Sequence, residues 1–436
     1  MPSAPLRRAL AGAGVPAGRI QHMAFGISKS RLSPIAIDFG TDTVKMLQIS
    51  SGGGTTQLVA AGGMTVPESA RSDAASRYAY MGEAVKNILG QQPFKGRRAI
   101  CAIPAHQTMV SVVELPGSDT KDIDAQINLH FQTVLEKDPS RMVIRNHHLG
   151  QVMRDGSAKQ RVLTLAAPRS TVMRYIELAT AAKLEVVGMH SEPMCIAKPF
   201  TELYNRREID KTGTRCFVDV GAAMSKIVII HAGQVLMART LRAAGEEMTV
   251  RHAKQHGLDF TEARLARIRE ANNPLAARPF PSKAEQQHEQ DLRRALVGAP
   301  ILSEETETAG FAADAEVATD LEDDRRVEAA AQPAMALEDL DETLDSLVEG
   351  LRMTIRYHDS VCPDHPVDQV VMLGGEAEQR SVNEAVAFAL GLPTFVGHPL
   401  ARVMRTPGLQ PLGLDMNKPQ PGWAVPLGLC LSEANL

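Results

Sequence analysis

Short apolar runs separated by turn residues recur along the chain, and they predict β-strands in two groups of the same design. In each group, three strands follow one another with tight turns between them. The predicted strands are 34–39, 44–49 and 58–66 in the first group, and 216–220, 225–231 and 234–241 in the second. The first strand of each group ends in Asp-x-Gly, at Asp38 and again at Asp219. This internal duplication predicts two lobes with the same fold.

Residues 97–190, between the two groups, have the mixed pattern of an α+β module with its own core. Strands are predicted at 99–103, 108–114, 144–153 and 161–167, and helices at 119–135 and 170–182. Asp119 is of the residue type that caps a helix N-terminus. We therefore predict that this module is inserted into the first lobe.

After the second group the pattern becomes helical and then returns to strands. The predicted helices are 245–256, 261–271, 337–358 and 381–390, and the predicted strands are 367–373 and 393–396. In the third helix Leu344, Leu347 and Leu351 recur every three or four residues, as on one face of a helix. These elements are expected to complete the second lobe.

Two stretches do not follow the alternation. Residues 1–33 are basic, and residues 272–336 are acidic, rich in alanine and proline, and poor in large hydrophobic residues. Such a composition buries too little apolar surface to offset the entropy of ordering. We predict that both segments are disordered.

The pattern as a whole predicts an α/β protein of two duplicated lobes with an inserted α+β module. The predicted boundaries are a disordered leader at 1–33, the first lobe at 34–96, the module at 97–190, a connecting helix at 191–213, the second lobe at 214–271 and 337–410, the disordered insertion at 272–336, and a return to the first lobe at 411–436.

Composition narrows the possible functions. The net charge is −4 and aromatic residues make up only 4% of the chain, so neither an electrostatic nor a stacking surface for nucleic acid is indicated. No window approaches the roughly 18 consecutive apolar residues of a membrane span. The five cysteines form no Cys-x-x-Cys pair, which is typical of buried thiols in a reducing compartment. We therefore expect a cytoplasmic protein that binds no nucleic acid.

The two Asp-x-Gly turns are suited to a nucleoside triphosphate held between the lobes. Glycine lets the backbone approach phosphate oxygens, and neighbouring hydroxyl and N–H groups can donate hydrogen bonds to them. Asp38 and Asp219 are predicted to hold Mg²⁺, mostly through water, because this ion prefers oxygen ligands and keeps several waters. The other predicted phosphate contacts are Gly40, Thr41, Asp42, Thr43 and Lys45 in the first turn, and Gly221, Ala222, Ala223 and Ser225 in the second.

These residues resemble the phosphate motifs of the actin-like ATPase superfamily. Residues 370–377 resemble its adenosine motif, and Glu192-Pro193 and residues 424–431 are similar to its two connecting helices. The resemblance implies duplicated ribonuclease-H-like lobes, bound ATP, and contacts from Gly374, Gly375 and Glu376 to the nucleoside. It also makes Glu192 the candidate catalytic residue that positions water for slow hydrolysis. A helix N-terminal glutamate that merely complements the helix dipole is the competing interpretation.

Within that superfamily the chain most resembles PilM-type type IV pilus assembly proteins. The similarity lies in the module's passage from Leu115-Pro116 to Asp124, in residues 239–249, and in residues 351–358. It implies that Gly245 and Arg267 also contact the nucleotide. It further implies recruitment to the inner membrane by the cytoplasmic N-terminal peptide of a PilN-like protein, alongside other pilus assembly components. That peptide is expected between the first lobe and the module.

The chain departs from this family in three places. Ala244-Gly245 stands where the family has two glycines, Arg267 stands for a lysine, and Arg264 stands where an acid is expected. The missing acid argues against tight recognition of the ribose and against efficient hydrolysis.

Two alternatives share the fold. An FtsA-like cell-division tether would need a C-terminal amphipathic helix, and residues 432–436 do not have that character. A small-molecule kinase of the superfamily would need a general base facing a substrate cleft, and the sequence shows no such constellation.

Overall fold

The computed structural model describes residues 31–71, 73–116, 122–135, 137–154, 156–200, 212–272 and 341–436. Nearly all of the predicted leader, 1–33, and of the predicted acidic insertion, 272–336, lies outside the described residues. So does Asp119, the expected N-cap of the module's first helix.

The strands are β1 (Arg31–Leu32), β2 (Ile35–Phe39), β3 (Thr43–Gly52), β4 (Thr55–Thr65), β5 (Arg98–Ile103), β6 (Met109–Pro116), β7 (Met142–Arg154), β8 (Ser157–Pro168), β9 (Glu185–Ser191), β10 (Thr214–Val220), β11 (Ser225–His231), β12 (Gln234–Leu241), β13 (Gln369–Leu373), β14 (Thr394–Val396) and β15 (Val403–Met404).

The helices are α1 (Ala74–Gln91), α2 (Ile123–Thr133), α3 (Arg169–Ala181), α4 (Glu192–Ile196), α5 (Gly245–His256), α6 (Phe260–Ala271), α7 (Asp341–Val361), α8 (Arg380–Leu390) and α9 (Ala424–Cys430). No helix within the described ranges combines the length and the apolar character needed to cross a membrane.

The first sheet has the strand order β15-β4-β3-β2-β5-β9, with β1 paired to β3. Its strands β2, β3 and β4 form an antiparallel meander, and β5 and β9 add to β2 in parallel. Helices α1 and α3 cover one face, where Ile35, Ile37 and Ile88 are fully buried. The predicted three-strand meander therefore forms the centre of the first lobe.

The second sheet repeats this arrangement with the order β12-β11-β10-β13-β14. Here β10, β11 and β12 form the antiparallel meander, while β13 and β14 add in parallel. Strand by strand, the order matches β4-β3-β2-β5-β9 of the first sheet. The predicted duplication is thus confirmed at the level of sheet topology.

The inserted module is a three-stranded antiparallel sheet, β6-β8-β7, with α2 on one face. Ile127 and Phe131 of α2 are buried against Met109, Val113 and other residues of β6 and β8. The predicted boundaries, 97–190, were too wide. Strands β5 and β9 belong to the first sheet, and α3 packs on α1, so the module itself spans 104–168. A continuous β-α-β pattern gives no local sign of where one sheet ends and the next begins.

The lobes are joined where α4 and α9 cross. Gly428 of α9 lies directly against the backbone of Cys195, and a Cβ at this position would overlap the carbonyl oxygen of Cys195. The surrounding core draws residues from both lobes and from the module. The chain returns to the first sheet through β15 at residue 403, before the predicted position of 411.

Candidate functional site

A cleft between the two lobes is the candidate functional site. Its volume is about 340 Å³, which is within the range of small-molecule pockets. It is lined by the turns that follow β2, β10 and β13. The lining residues that the sequence predicted are Asp38, Gly40, Thr41, Asp42, Thr43, Lys45, Glu192, Asp219, Gly221, Ala222, Ala223, Gly374, Gly375 and Glu376.

The two aspartates stand at equivalent points of the two sheets. Asp38 lies near the end of β2, opposite Ala102 of β5, and Asp219 lies near the end of β10, opposite Leu373 of β13. Both strands are buried along their whole length, which fixes the turns that follow them. The phosphate-type turns therefore enter one cleft from two rigid sheets.

Gly374 begins the turn after β13 in a conformation that favours glycine, with φ of 87°. A Cβ at this position would also overlap the backbone of Val220. The Gly-Gly turn can therefore lie against the end of β10 only because residue 374 has no side chain.

The ammonium of Lys226 contacts two carboxylates in the cleft wall, and the charge of a third, that of Asp38, also acts on it. The Lys226 Nζ lies 2.8 Å from Asp219 Oδ1 and 3.2 Å from Glu192 Oε2. Burial alone would lower the pKa of Lys226, but the neighbouring carboxylates of Asp219 and Glu192 outweigh it and raise this pKa. For Asp38, burial and then the charge of Glu192 raise the pKa to about 7.

This arrangement does not fit a Mg²⁺ ion held by Asp38 and Asp219. One observation favours an ion, since Asp38 Oδ1 is buried without a hydrogen-bond partner. However, the ammonium of Lys226 already contacts Asp219, the second expected ligand. A divalent cation and its waters would compete with that ammonium for the same carboxylate oxygens.

Asp42 joins the lobes rather than facing open solvent. Its Oδ1 accepts a hydrogen bond of 2.6 Å from Arg264 Nη1, and its Oδ2 accepts one of 2.9 Å from Arg264 Nη2. Arg71 also contacts Asp42 and reaches Glu246 of the second lobe. Although burial opposes it, the hydrogen bonds and charges of these arginines lower the pKa of Asp42.

A buried ion pair occupies the region expected to hold the nucleoside. Arg267 Nη1 donates to Glu376 Oε2 at 2.8 Å and to Gln379 Oε1 at 2.8 Å. The carboxylate of Glu376 lies against Gly245, where a Cβ would overlap it. Glu376 is thus held in place from α6, although it lines the cleft itself.

Three predicted contact residues do not line this cleft. Arg267 is turned towards Glu376, and Gly245 is covered by the same glutamate. Ser225 is fully buried, and its hydroxyl donates a hydrogen bond of 2.5 Å to the carbonyl oxygen of Ala243. The hydroxyl is directed along the sheet because residue 225 already lies within β11 rather than in the turn.

The chain's single tryptophan, Trp423, also lines the cleft. Lys45 Nζ donates a hydrogen bond of 2.7 Å to the carbonyl oxygen of the adjacent Gly422. His106 also lines the cleft, and burial lowers its pKa to about 4, so its ring is neutral at physiological pH.

The sequence prediction missed Lys226 and Trp423 as cleft residues, and it missed Arg71 as a partner of Asp42. A signal for Lys226 exists, because it is the one charged residue in the strand Ser225–His231. Trp423 reaches the cleft, and Arg71 reaches Asp42, from distant parts of the chain, and no local pattern marks either residue.

A family model described as type IV pilus assembly protein PilM matches residues 36–290 of this chain. Among solved structures, the chain is similar to one described as the PilM-PilN type IV pilus biogenesis complex. The sequence identity is 16% and the TM-score is 0.62, with 92% of this chain and 98% of that chain covered. This match shows a shared fold, the duplicated actin-like one.

Two other structures match at lower scores. The ethanolamine utilization protein EutJ from Carboxydothermus hydrogenoformans is 15% identical, with a TM-score of 0.42, covering 92% of this chain and 89% of that one. MreB 5 of Spiroplasma citri bound to AMPPNP is 11% identical, with a TM-score of 0.36, covering 83% of this chain and 90% of that one.

Proposed function

The chain belongs to the family of type IV pilus assembly protein PilM, and from that premise we propose that it is an ATP-binding scaffold of a type IV pilus or related secretion machine. The main observation in favour of nucleotide binding is the cleft itself. Two equivalent Asp-x-Gly turns and a Gly-Gly turn line this cleft, which has a volume of about 340 Å³. Backbone N–H groups of such turns suit phosphate oxygens. The almost fully buried Trp423 is also among the lining residues.

Lys45 and Lys226 line the cleft and are the proposed positive charges for the phosphates, while Arg264, which also lines it, is paired with Asp42. The proposed contacts to the nucleoside are Glu376 and the turn that begins at Gly374, which also line the cleft. Mg²⁺ was expected on Asp38 and Asp219, and the position of Lys226 argues against that site.

ATP turnover is proposed to be slow at best. Glu192 is the candidate for positioning an attacking water, but its Oε2 is already engaged by Lys226 at 3.2 Å and by the backbone N–H of Ala105 at 3.3 Å. A carboxylate held in this way has little freedom to orient water. The chain thus serves as a nucleotide-dependent binding protein.

Lobe closure is proposed as the response to nucleotide. Asp42 and Arg264 meet across the cleft, and Thr261 of the second lobe donates a hydrogen bond of 2.9 Å to Glu68 of the first. These contacts exist only when the lobes are close. A ligand that binds both lobes therefore favours the closed arrangement.

The proposed partner is the cytoplasmic N-terminal peptide of a PilN-like inner-membrane protein, docked between the first lobe and the module. Family membership supports this partner, and so does the similarity to a structure described as a PilM-PilN complex. Strand β7 is an outer strand of the module's sheet, and an extended peptide can pair with such a strand. Recruitment by this peptide would place the chain on the cytoplasmic face of the inner membrane, together with other pilus assembly components.

The nucleotide proposal can be tested through Trp423. Because this single tryptophan lines the cleft, ATP binding should change its fluorescence in a saturable way. AMP in excess should compete poorly with ATP for the cleft, because it lacks the β- and γ-phosphates. If saturating ATP changes neither the fluorescence nor the melting temperature, the chain does not bind ATP in this cleft.

A further inference from the structure

Lys226 is an unusual residue for its position. It lies on β11 in register with Asp219 of β10, and the rest of the strand, apart from its ends, is apolar. The residue is only 7% exposed. A lysine is almost never buried to this extent unless it is paired with acids.

The acids around it come from three separate elements. Asp38 lies near the end of β2 in the first lobe, Asp219 lies near the end of β10 in the second lobe, and Glu192 begins α4 between them. The Lys226 Nζ lies 2.8 Å from Asp219 Oδ1 and 3.2 Å from Glu192 Oε2, and its charge also acts on Asp38. The ammonium therefore stands at the point where the negative charges of both lobes converge.

The ammonium also lies beside the second phosphate-type turn. A Cβ on Gly221 would be 3.2 Å from the Lys226 Nζ. An anionic group bound at this turn would therefore contact a positive charge supplied by the protein. The ammonium of Lys226 thus lies between this turn and the carboxylates of Asp219 and Glu192.

A Mg²⁺ ion in the same place would have to displace this ammonium. The ion carries two positive charges and retains several waters, while Lys226 is anchored by β11 and held by two carboxylates. Like charges at such short separation repel strongly in a buried site. Mg²⁺ and the ammonium of Lys226 therefore exclude each other at this position, and the ammonium occupies it.

We propose that Lys226 replaces the divalent cation in this cleft, so that the chain binds ATP without requiring Mg²⁺. This inference rests on the proposed function, because it specifies the form of nucleotide that the same cleft accepts. It also accounts for the engagement of Glu192, which balances the charge of Lys226 and is not free to orient water.

The test measures binding of fluorescent mant-ATP to the full chain, once with excess Mg²⁺ and once with EDTA. The wild-type dissociation constant should differ by no more than about threefold between the two conditions. Lys226→Ala removes the ammonium and exposes the three carboxylates to an added ion. This variant should bind at least about tenfold more weakly in EDTA and recover in Mg²⁺.

Lys86→Ala is the matched control, since it removes an exposed lysine that pairs with Glu83 on α1. It should behave as the wild type does. If wild-type binding is lost in EDTA and restored by Mg²⁺, Lys226 does not replace the ion, although the ATP proposal stands. If the wild type binds mant-ATP in neither condition, both proposals are wrong. The wild-type comparison decides the question even if Lys226→Ala does not fold.

Discussion

At the scale of single residues, the cleft is closed by charges that meet from opposite lobes. Asp42 of the first lobe receives both Nη atoms of Arg264 from the second lobe, in the bidentate arrangement that gives strong, directional pairs. Both side chains are partly exposed, at 21% and 33%, so solvent and salt weaken the pair. The Asp42–Arg264 pair is therefore a latch between the lobes, that is, an ion pair that modestly stabilises their closed arrangement.

Replacing Arg264 by methionine should loosen this latch. The closed form should lose about 1 kcal/mol, a value for a partly screened pair, and mant-ATP should dissociate about fivefold faster. Stopped-flow displacement with unlabelled ATP measures the rate. Arg380→Met is the control, because it removes an ion pair inside one helix, with Glu384. Equal dissociation rates for Arg264→Met and Arg380→Met would contradict a latch between the lobes.

The pair between Arg267 and Glu376 belongs to a different class because it is buried. Arg267 is 5% exposed and Glu376 is 7% exposed. Arg267→Met would leave a buried carboxylate without its partner and should cost about 3 kcal/mol of unfolding free energy. Urea denaturation followed by circular dichroism gives this value.

Two further variants show whether the cost comes from the unpaired charge. Adding Glu376→Gln to Arg267→Met should recover much of the stability, because no buried charge then remains. Arg269→Met, at an exposed position of the same helix, should be almost neutral. If the double variant is as unstable as the single one, lost packing rather than lost pairing is responsible.

At the scale of elements, the close crossing of α4 and α9 holds the lobes together. Gly428→Ala would place a methyl group on the carbonyl oxygen of Cys195, and backbone cannot yield as a flexible side chain does. The substitution should reduce stability by about 2 kcal/mol. Gly90→Ala, in α1 with open space around it, is the control and should stabilise slightly. Thermal unfolding of both variants compares them, and a neutral Gly428→Ala would mean that the crossing is not tight.

The sequence predicted many of these elements because their signals are local. Alternating and continuous apolar runs mark β2, β3 and β10–β13, and Asp-x-Gly marks where the first strand of each meander ends. The limits of the module could not be predicted in this way. Strand β5 belongs to the first sheet, and not to the module's sheet with β6, because it pairs with β2. That pairing joins residues more than 60 positions apart.

The turns of the site and many of its lining residues were predictable, but the contacts between its side chains were not. Turns such as 38–43 and 219–225 are recognisable because their Asp-x-Gly sequences mark the ends of strands locally. What fills the cleft wall depends on side chains brought from afar: Arg264 meets Asp42 across 222 positions of chain. Lys226 could be noticed in the sequence as a charged residue in an apolar strand. Its role as the partner of acidic residues became apparent only from the positions of Asp38, Asp219 and Glu192.

At the scale of the whole molecule, the module contacts both lobes. It continues from β5 of the first lobe, and it also reaches the second lobe, where Arg161 Nη2 donates a hydrogen bond of 3.3 Å to the carbonyl oxygen of Leu236. Tyr357 of α7 donates a hydrogen bond of 3.3 Å to Glu114 of β6. A change in the angle between the lobes must therefore move or strain these contacts. This geometry supports the proposed coupling between nucleotide binding in the cleft and peptide binding at the module.

We expect that the module can be removed while β5 and β9 remain in the first sheet. Met109 and Ala166 are cross-strand partners at the base of β6 and β8, so a two-residue Asn-Gly turn can join residues 109 and 166 in place of residues 110–165. Deleting residues 97–190 instead would remove β5 and β9. The shortened chain should keep the circular dichroism spectrum of a folded α/β protein and still bind mant-ATP.

The most direct test of the account is the fluorescence anisotropy of a labelled PilN-like N-terminal peptide, titrated with the intact chain and with the shortened chain, each with and without ATP. The account predicts that the intact chain binds the peptide, that ATP changes the affinity several-fold, and that the folded shortened chain does not bind. Equal affinity for both chains would place the peptide away from the module. Absence of binding to the intact chain with and without ATP would contradict the proposed role in pilus assembly.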